Sequence, residues 1–279
     1  MRIASLHLYP LKSARGLALD RAHVDVDGLA GDRRWMVVDA DGRFLTQRDE
    51  PRLARLEAIP HSAGLTLSVD GYGTCHVDTP AADAPTLAVT VWRDTLVARH
   101  AVTAQDWLGC WLGREVRLVW QPSTDSRRPN PDWAPDARAV SFADAYPVLV
   151  ANRASLAALN AAIVAAGGTA VPMTRFRPNI VIDGADAWAE DHWRTLRLGD
   201  IELALVKPCD RCVVTTTDQT TGARMGKEPL ATLARQRRSA DPRITGVLFG
   251  INGVPLRAGT LRTGDPVTVL ATQTPWPLA

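Results

Sequence analysis

The sequence is poor in the features that mark several protein classes. Four cysteines among 279 residues give no disulfide framework, so a reducing compartment is favoured. No apolar run is long enough to span a membrane as a helix, and the first residues show no apolar segment with a cleavage site. The formal net charge of +2 is too small to indicate nucleic acid or a membrane surface as a partner. We therefore predict a soluble globular protein of the cytoplasm that binds neither nucleic acid nor membranes.

Common nucleotide and metal motifs are missing as well. There is no Walker motif and no G-x-G-x-x-G motif, so a nucleotide site of either kind is not predicted. None of the six histidines forms a His-x3-5-His pair, and no Ser/His/Asp set has a diagnostic spacing. The acidic stretch 186–192 could gather metal ligands, but we favour an acidic surface loop, because Trp188 and Trp193 can anchor it to the core.

The chain does contain many short segments in which apolar and polar residues alternate, which is typical of β-strands. Strands are predicted at residues 3–9, 17–26, 33–39, 43–47, 64–69, 74–78, 87–92, 95–100, 115–120, 176–182, 194–198, 201–206, 244–251 and 261–270, and helices at 103–112, 155–166 and 228–238. This pattern predicts an α+β fold that is mainly β and is built around a β-barrel. The Pro-, Asp- and Arg-rich stretch 121–138 is the best candidate boundary, and it divides the chain into domains 1–120 and 121–279.

Cys209 and Cys212 form a Cys-x-x-Cys pair. Residues 201–206 before the pair alternate like a strand, and residues 213–217 after it are all β-branched, which predicts a second strand. Pro208 cannot donate a ladder hydrogen bond, so the pair is expected on a tight link between two strands.

Four interpretations of this pair remain open. A thioredoxin-like redox pair usually opens a helix, which the β-branched residues disfavour. A zinc ribbon needs two further ligands, and Cys75 and Cys110 are single and far apart in the sequence. One thiolate could instead bind a soft metal, with its charge favoured by Lys207 and Arg211, or both cysteines could be buried packing residues.

Cationic and polar residues stand at the ends of several predicted strands. Lys12 and Ser13 follow the first strand, Arg33 begins an otherwise apolar one, and Arg177 and Asn179 flank a proline. Any one of them can be an exposed charge or part of an internal ion pair. Together they predict an anion site, in which guanidinium, ammonium and hydroxyl donors hold a phosphate.

Several stretches, in this order and spacing, resemble MOSC-domain proteins that carry a MOSC N-terminal β-barrel domain, the family of the amidoxime-reducing components. The stretches are YPLKSARG (9–16), GLAGDRRWMVVD (28–39), YPVLVANRASLAALN (146–160), FRPNIVIDG (176–184), CDRCVVTTTDQTTG (209–222), KEPLATL (227–233), LFGIN (248–252) and LRTGDPVTVL (261–270). They span nearly the whole chain. The resemblance implies a MOSC β-barrel with interspersed helices, packed on an N-terminal β-rich domain.

The resemblance also implies a cofactor and the residues that hold it. The second cysteine of the pair, here Cys212, would be the catalytic thiolate and the metal ligand of molybdenum in a molybdopterin cofactor. The positions implied to line the cofactor are Lys12, Ser13, Arg33, Arg177, Asp210, Arg211 and Asn252, and Asn179 joins them from the anion site. Such a cofactor needs a soft thiolate for its metal and cations for its phosphate, so the thiolate and the anion site would form one site. Pyridoxal phosphate is not expected.

The implied reaction is the two-electron reduction of a small N-hydroxylated or N-oxide compound. The sequence has neither an iron–sulfur cysteine set nor a dinucleotide fingerprint, so electrons are expected from an external iron–sulfur or flavin protein. One rival role is a module that carries the molybdenum cofactor or its sulfur, as a resemblance to the C-terminal domain of the cofactor sulfurase allows. The other is a structural β-barrel whose cysteines pack in the core.

Overall fold

The computed structural model describes residues 1–122, 127–137 and 139–279. Strands dominate this part of the chain, and the predicted mainly β, α+β fold is confirmed. The strands are β1 (Arg2–Leu8), β2 (Leu17–Leu19), β3 (Arg21–Asp25), β4 (Gly28–Leu29), β5 (Trp35–Asp39), β6 (Glu57–His61), β7 (Gly64–Val69), β8 (Gly73–Asp78), β9 (Thr86–Val91), β10 (Asp94–His100), β11 (Val116–Trp120), β12 (Val148–Asn152), β13 (Ile180–Asp183), β14 (Trp193–Leu198), β15 (Ile201–Arg211), β16 (Val247–Pro255), β17 (Gly259–Arg262) and β18 (Val267–Thr272).

The helices are few and short. The α-helices of the described residues are α1 (Gln105–Leu112), α2 (Arg153–Ala165) and α3 (Leu230–Gln236). Short 3-10 helices occupy Pro51–Arg55, Val102–Ala104, Met173–Phe176, Ala189–His192 and Val213–Thr216. Within the described ranges, none of these helices has both the length and the apolar composition needed to cross a membrane.

The largest sheet has eight strands in the order β18-β14-β15-β16-β12-β13-β1-β2. Its only parallel pair among the described strands is β12 with β13, and α2 makes the crossover between them. Asn152 is the N-cap of α2: its side-chain oxygen accepts a hydrogen bond from the backbone N–H of Ala154 at 3.0 Å. The division into domains 1–120 and 121–279 stays a prediction, with β1 as the strand of the first that pairs with β13 of the second.

The described strands form three smaller sheets as well, in the orders β5-β11-β10-β9, β17-β3-β4 and β6-β7-β8. One apolar cluster, which includes Leu6, Leu196 and Leu203, packs against the eight-stranded sheet. Another, which includes Val37 and Leu67, packs under the smaller sheets with α1. Burial of these side chains stabilises the sheets by about 1.5–3 kcal/mol for each large aliphatic residue. The sheets therefore provide a rigid frame for the loops that follow β1, precede β5 and follow β15.

The strand before the cysteine pair is longer than predicted. Pro208 does not end it, because β15 continues to Arg211 and Pro208 is paired with Ile251 of β16. The pairing is irregular between Pro208 and Asp210, and such an irregularity accommodates a residue that has no N–H to donate.

The strand predicted at 213–217 is wrong. Residues Val213–Thr216 form a 3-10 helix instead. The hydroxyl of Thr215 donates to the carbonyl of Cys212 at 2.9 Å, and that of Thr216 donates to the carbonyl of Val213 at 2.8 Å. Hydroxyl bonds to the backbone three residues earlier compete with strand pairing, and here they override the β-propensity of the branched side chains.

Other differences concern element ends. The predicted strand 17–26 is interrupted at Asp20 to give β2 and β3, and 261–270 is divided by the turn between β17 and β18. The segment 43–47 forms only isolated bridges at Arg43 and Phe44. Phe176 closes a 3-10 helix, so β13 begins four residues later than the strand predicted there.

Candidate functional site

The two cysteines of the pair have different surroundings. Cys209 lies within β15, and its sulfur accepts a hydrogen bond from Arg211 Nη1 at 2.8 Å. Burial raises the pKa of the Cys209 thiol, while the charge of Arg211 opposes that rise. Cys212 lies one residue past the strand, and its sulfur accepts a hydrogen bond from Arg48 Nη2 at 3.3 Å. Both cysteines are unbridged. Cys212 is therefore a thiol at a loop, next to a permanent cation from a distant part of the chain.

Arg48 connects Cys212 to a buried lysine. One carboxylate oxygen of Asp144 lies 3.9 Å from Arg48, and the other contacts Lys12. Lys12 is only 4% exposed, and its ammonium also donates to the carbonyl of Phe142 at 2.8 Å. Burial lowers the pKa of Lys12, and Asp144 acts in the opposite direction. The thiol and the first predicted cation thus belong to one connected group.

Two further predicted cations meet on a single aromatic ring. The guanidinium groups of Arg33 and Arg177 each lie 4.3 Å from the ring centre of Tyr9, which is buried. Arg33 contacts the buried carboxylate of Asp32 and donates to Asn179 Oδ1 at 3.1 Å. Burial lowers the pKa of Arg177 to about 10, so this side chain still carries its charge at neutral pH.

Three of the predicted site residues have an unusual backbone. Ser13, Arg33 and Arg177 have φ values of 67°, 48° and 55°, in the left-handed region that L-residues rarely adopt. Such a conformation costs on the order of 1–3 kcal/mol per residue and persists only where the surrounding structure enforces it. Strained residues of this kind gather at functional sites, and here they coincide with the positions that the sequence indicated.

The remaining predicted residues differ in how they are engaged. The amide of Asn179 is fully used: it donates to the carbonyl of His7 and to Asp32, and accepts from Arg33 and Leu149. Arg211 donates to Cys209 and to the carbonyl of Phe176, which joins the cysteine segment to the Arg177 segment.

Asp210 and Asn252 lie on paired strands beside the pair of cysteines. Asp210 is exposed and accepts a hydrogen bond from Lys207 Nζ at 2.8 Å. Asn252 lies on β16 opposite Lys207, and its side chain is buried. Ser13 contributes its carbonyl, which accepts from Gln47 Nε2 at 2.7 Å.

Sequence reasoning missed several residues of this site, namely Tyr9, Asp32, Gln47, Arg48, Asp144, Gln219 and Arg224. Arg224 joins the segment that carries Arg48 to the segment that follows Cys212, because it donates to the carbonyls of Gln47 and Arg48 and to that of Val213. The side-chain amides of Gln47 and Gln219 bond to each other in both directions, at 3.0 and 2.8 Å. Tyr9, Asp32 and Gln219 lie in stretches that carry the family resemblance, whereas no motif marks Gln47, Arg48, Asp144 and Arg224, which lie outside those stretches.

The acidic stretch 186–192 serves the fold. Glu190 is 1% exposed rather than on the surface, and its carboxylate accepts from Asn152 and Ser155. Asp191 pairs with Arg237 at 2.7 Å. Across the described residues, no group of three or more His, Cys, Asp or Glu side chains is arranged to hold a metal ion. A cysteine-bound metal would therefore have to bring most of its own ligands.

Comparison with known proteins places this arrangement in a family. Residues 1–115 match the MOSC N-terminal beta barrel domain and residues 137–268 match the MOSC domain. The chain is 37% identical to mitochondrial amidoxime-reducing component 1 of Homo sapiens, over 96% of this chain and 82% of that protein. The chain belongs to the MOSC-domain family. The same component of Mus musculus is 35% identical over 96% and 82% of the two chains, and component 2 of Bos taurus is 31% identical over 95% and 82%.

The residues of the site fit the cofactor that the family resemblance implies. Arg211 Nε is buried without a hydrogen-bond partner in the described residues, so an acceptor brought by a ligand would satisfy it. Around Tyr9 and Cys212, the cations Lys12, Arg33, Arg48, Arg177 and Arg211 outnumber the carboxylates Asp32, Asp144 and Asp210. A cation excess suits a phosphate, and a thiol at its edge suits a soft metal.

Proposed function

We propose that the protein is a molybdenum-cofactor-dependent reductase of N-hydroxylated compounds, in which Cys212 holds the metal. The observation that carries the proposal is the connection of the Cys212 thiol, through Arg48 and Asp144, to Lys12 and the other cations. The named relatives are amidoxime-reducing components, and an amidoxime is an N-hydroxylated compound. These names support the same reaction for this chain.

In this proposal the residues divide the work. Cys212 supplies one soft sulfur ligand, and a molybdenum pterin cofactor, when bound, supplies two-electron chemistry coupled to removal of an oxygen atom. Lys12, Arg33, Arg177 and Arg211 bind its phosphate with charge-assisted hydrogen bonds.

Other residues position these groups or line the pocket. Asn179 orients Arg33, to which its Oδ1 is bonded. Ser13, Asp210 and Asn252 line the rest of the cofactor pocket. The overall change is R–NHOH plus two electrons and two protons to R–NH2 and water.

The test compares the two cysteines in a host that makes the cofactor. A serine hydroxyl at position 212 is hardly ionised near neutral pH and is a hard ligand, so Cys212→Ser should lose molybdenum and at least 99% of amidoxime reduction. Cys209→Ser is the matched control, because a serine oxygen can still accept the bond from Arg211. It should keep molybdenum and most of the activity. Metal analysis, pterin fluorescence and benzamidoxime turnover with reduced methyl viologen provide the measurements.

Two outcomes would reject the proposal. Equal loss in both variants would favour chemistry that needs both sulfurs, as in a zinc site or a disulfide. A parent protein that holds molybdenum and pterin but reduces no N-hydroxylated compound would favour a carrier of the cofactor.

A further inference from the structure

The turn between β9 and β10 carries an exposed tryptophan in a strained conformation. Val91 and Asp94 are paired, so Trp92 and Arg93 form the whole turn. Trp92 has φ 58° and is 47% exposed. A positive φ in a hairpin turn is normally supplied by glycine or asparagine, and a bulky residue there is unusual. Glycine would form this turn better, so the formation of the turn does not explain why position 92 is a tryptophan.

The contacts of the indole ring indicate a role for this tryptophan. Trp92 packs on Phe44, with ring centres 5.2 Å apart, and the Arg48 guanidinium lies 4.6 Å from the indole centre. The same guanidinium donates to Cys212 at 3.3 Å. Lys12 in turn lies 5.3 Å from the ring of Phe44. The two rings therefore form an aromatic wall, defined here as Phe44 and Trp92, directly beside the cations of the proposed site.

We propose that Trp92 selects the substrate, by binding the aromatic ring of an N-hydroxylated compound while its N–O group is directed towards Cys212. The inference rests on the proposed function. Nearly half of Trp92 is accessible even with Phe44 and Arg48 in contact, so apolar ring surface remains for a ligand. Aromatic pairs gain energy in offset or edge-to-face arrangements beyond the area that they bury, which favours an aryl over a methyl substituent. Phe44 supports the indole from the protein side.

The competing explanation is that Trp92 only closes its hairpin by packing on Phe44. The two explanations differ in what a variant changes. A packing role affects all substrates alike, whereas a selecting role affects the aryl substrate and spares the methyl one. Benzamidoxime and acetamidoxime form such a pair, because they share the reacting group and differ in the substituent.

The experiment compares Trp92→Ala and Trp92→Phe in the cofactor-loaded protein, with reduced methyl viologen as donor. We expect Trp92→Ala to raise KM for benzamidoxime relative to KM for acetamidoxime by about three- to tenfold. Trp92→Phe should keep most of the parent's ratio between KM for benzamidoxime and KM for acetamidoxime. The matched control is Tyr72→Ala, since Tyr72 is a 41% exposed aromatic residue at the β7–β8 turn that packs on Trp107 of α1. It should leave both KM values unchanged.

Binding of the amidine products gives a readout that needs no turnover. Saturation-transfer NMR should detect benzamidine on the parent and on Trp92→Phe, more weakly on Trp92→Ala, and acetamidine equally on all three. Equal effects on the aryl and methyl compounds, or the same effects in Tyr72→Ala, would overturn the inference. If the parent reduces neither substrate, the proposed function fails, while the benzamidine comparison still decides the role of Trp92.

Discussion

Among the residues of the site, Arg177 gives the clearest information on the charge balance. Its guanidinium donates to the carbonyl of Ala14 at 2.6 Å and to Gln219 at 3.1 Å, and both acceptors are neutral. Arg33 lies over the same tyrosine ring but contacts the carboxylate of Asp32. A half-buried cation with only neutral partners has a net cost of desolvation, which a bound anion would offset. Arg177 is therefore the best single probe of the proposed phosphate site.

Replacing Arg177 should separate cofactor binding from folding. Arg177→Ala and Arg177→Gly both remove the charge, but glycine also relieves the left-handed backbone. A charge-assisted hydrogen bond contributes about 1.5–3 kcal/mol, so each variant should bind the pterin about tenfold to a hundredfold more weakly. Arg177→Gly should resist denaturant better than Arg177→Ala. Pterin content and urea unfolding measure the two effects.

A surface arginine provides the control for this prediction. Arg197 is exposed and pairs with Glu202 on the β14–β15 hairpin. Arg197→Ala should keep a full complement of pterin. Full pterin occupancy in both Arg177 variants would show that the phosphate is held elsewhere.

The sequence predicted some of these residues because their local context was anomalous. Lys12, Arg33 and Arg177 are cations at the ends of apolar strands, which single-residue patterns can reveal. Arg48 occurs in a polar stretch where charges are common and Asp144 in a mostly apolar one, and both matter through contacts with residues far away in the chain. Such contacts leave no trace in local composition or spacing.

Among the secondary-structure elements, α2 depends on a buried carboxyl group. Glu190, in the 3-10 helix Ala189–His192, accepts hydrogen bonds from the cap residue Asn152 and from Ser155 of α2. Its second oxygen is buried without a hydrogen-bond partner in the described chain. Burial raises the pKa of Glu190, against the effect of the Ser155 and Asn152 bonds. The neutral form of this side chain is thus favoured by folding.

The raised pKa of Glu190 predicts how stability depends on pH. Because the folded-state pKa exceeds the unfolded value near 4.5, the contribution of Glu190 is complete below pH 4.5 and is lost as pH rises through its folded-state pKa. Glu190→Gln cannot ionise, and its amide oxygen can accept the same bonds. As pH rises, the free energy of unfolding of Glu190→Gln should therefore increase relative to that of the parent, by about 1.4 kcal/mol per unit of pKa difference. Urea unfolding between pH 4.5 and 8 measures this, and parallel curves would contradict it.

Element types were easier to predict than element ends. The strands with clear alternation were found, whereas the segment 213–217 was mistaken for a strand because β-branched residues normally favour one. Two of those residues are threonines whose hydroxyls bond to nearby carbonyls, which valine or isoleucine could not do. The choice between strand and 3-10 helix was therefore made by side-chain oxygens and not by side-chain shape.

For the whole molecule, the site is assembled from segments that are remote in sequence. Arg48 and Cys212 are 164 residues apart, and Arg33 and Asn179 are 146 apart. Local patterns predicted the mainly β class, and the order of several motifs indicated the family, which the comparisons confirm. The pairing of β1 with β13 and the contact of Arg48 with Cys212 required the folded chain, because long-range register depends on packing.

The positions of the four cysteines in the fold predict where the electrons come from. An iron–sulfur cluster is usually held by four cysteines, but Cys75 lies on β8 and Cys110 on α1, apart from the Cys209 and Cys212 pair. The sequence also has no dinucleotide fingerprint. The isolated, cofactor-loaded protein should therefore reduce benzamidoxime with reduced methyl viologen, but at less than about 1% of that rate with NADH. Addition of an iron–sulfur or flavin electron-transfer protein and its reductase should restore NADH-driven turnover. Rapid NADH oxidation by the isolated chain, coupled to benzamidine formation, would reveal a nicotinamide site and contradict an external donor.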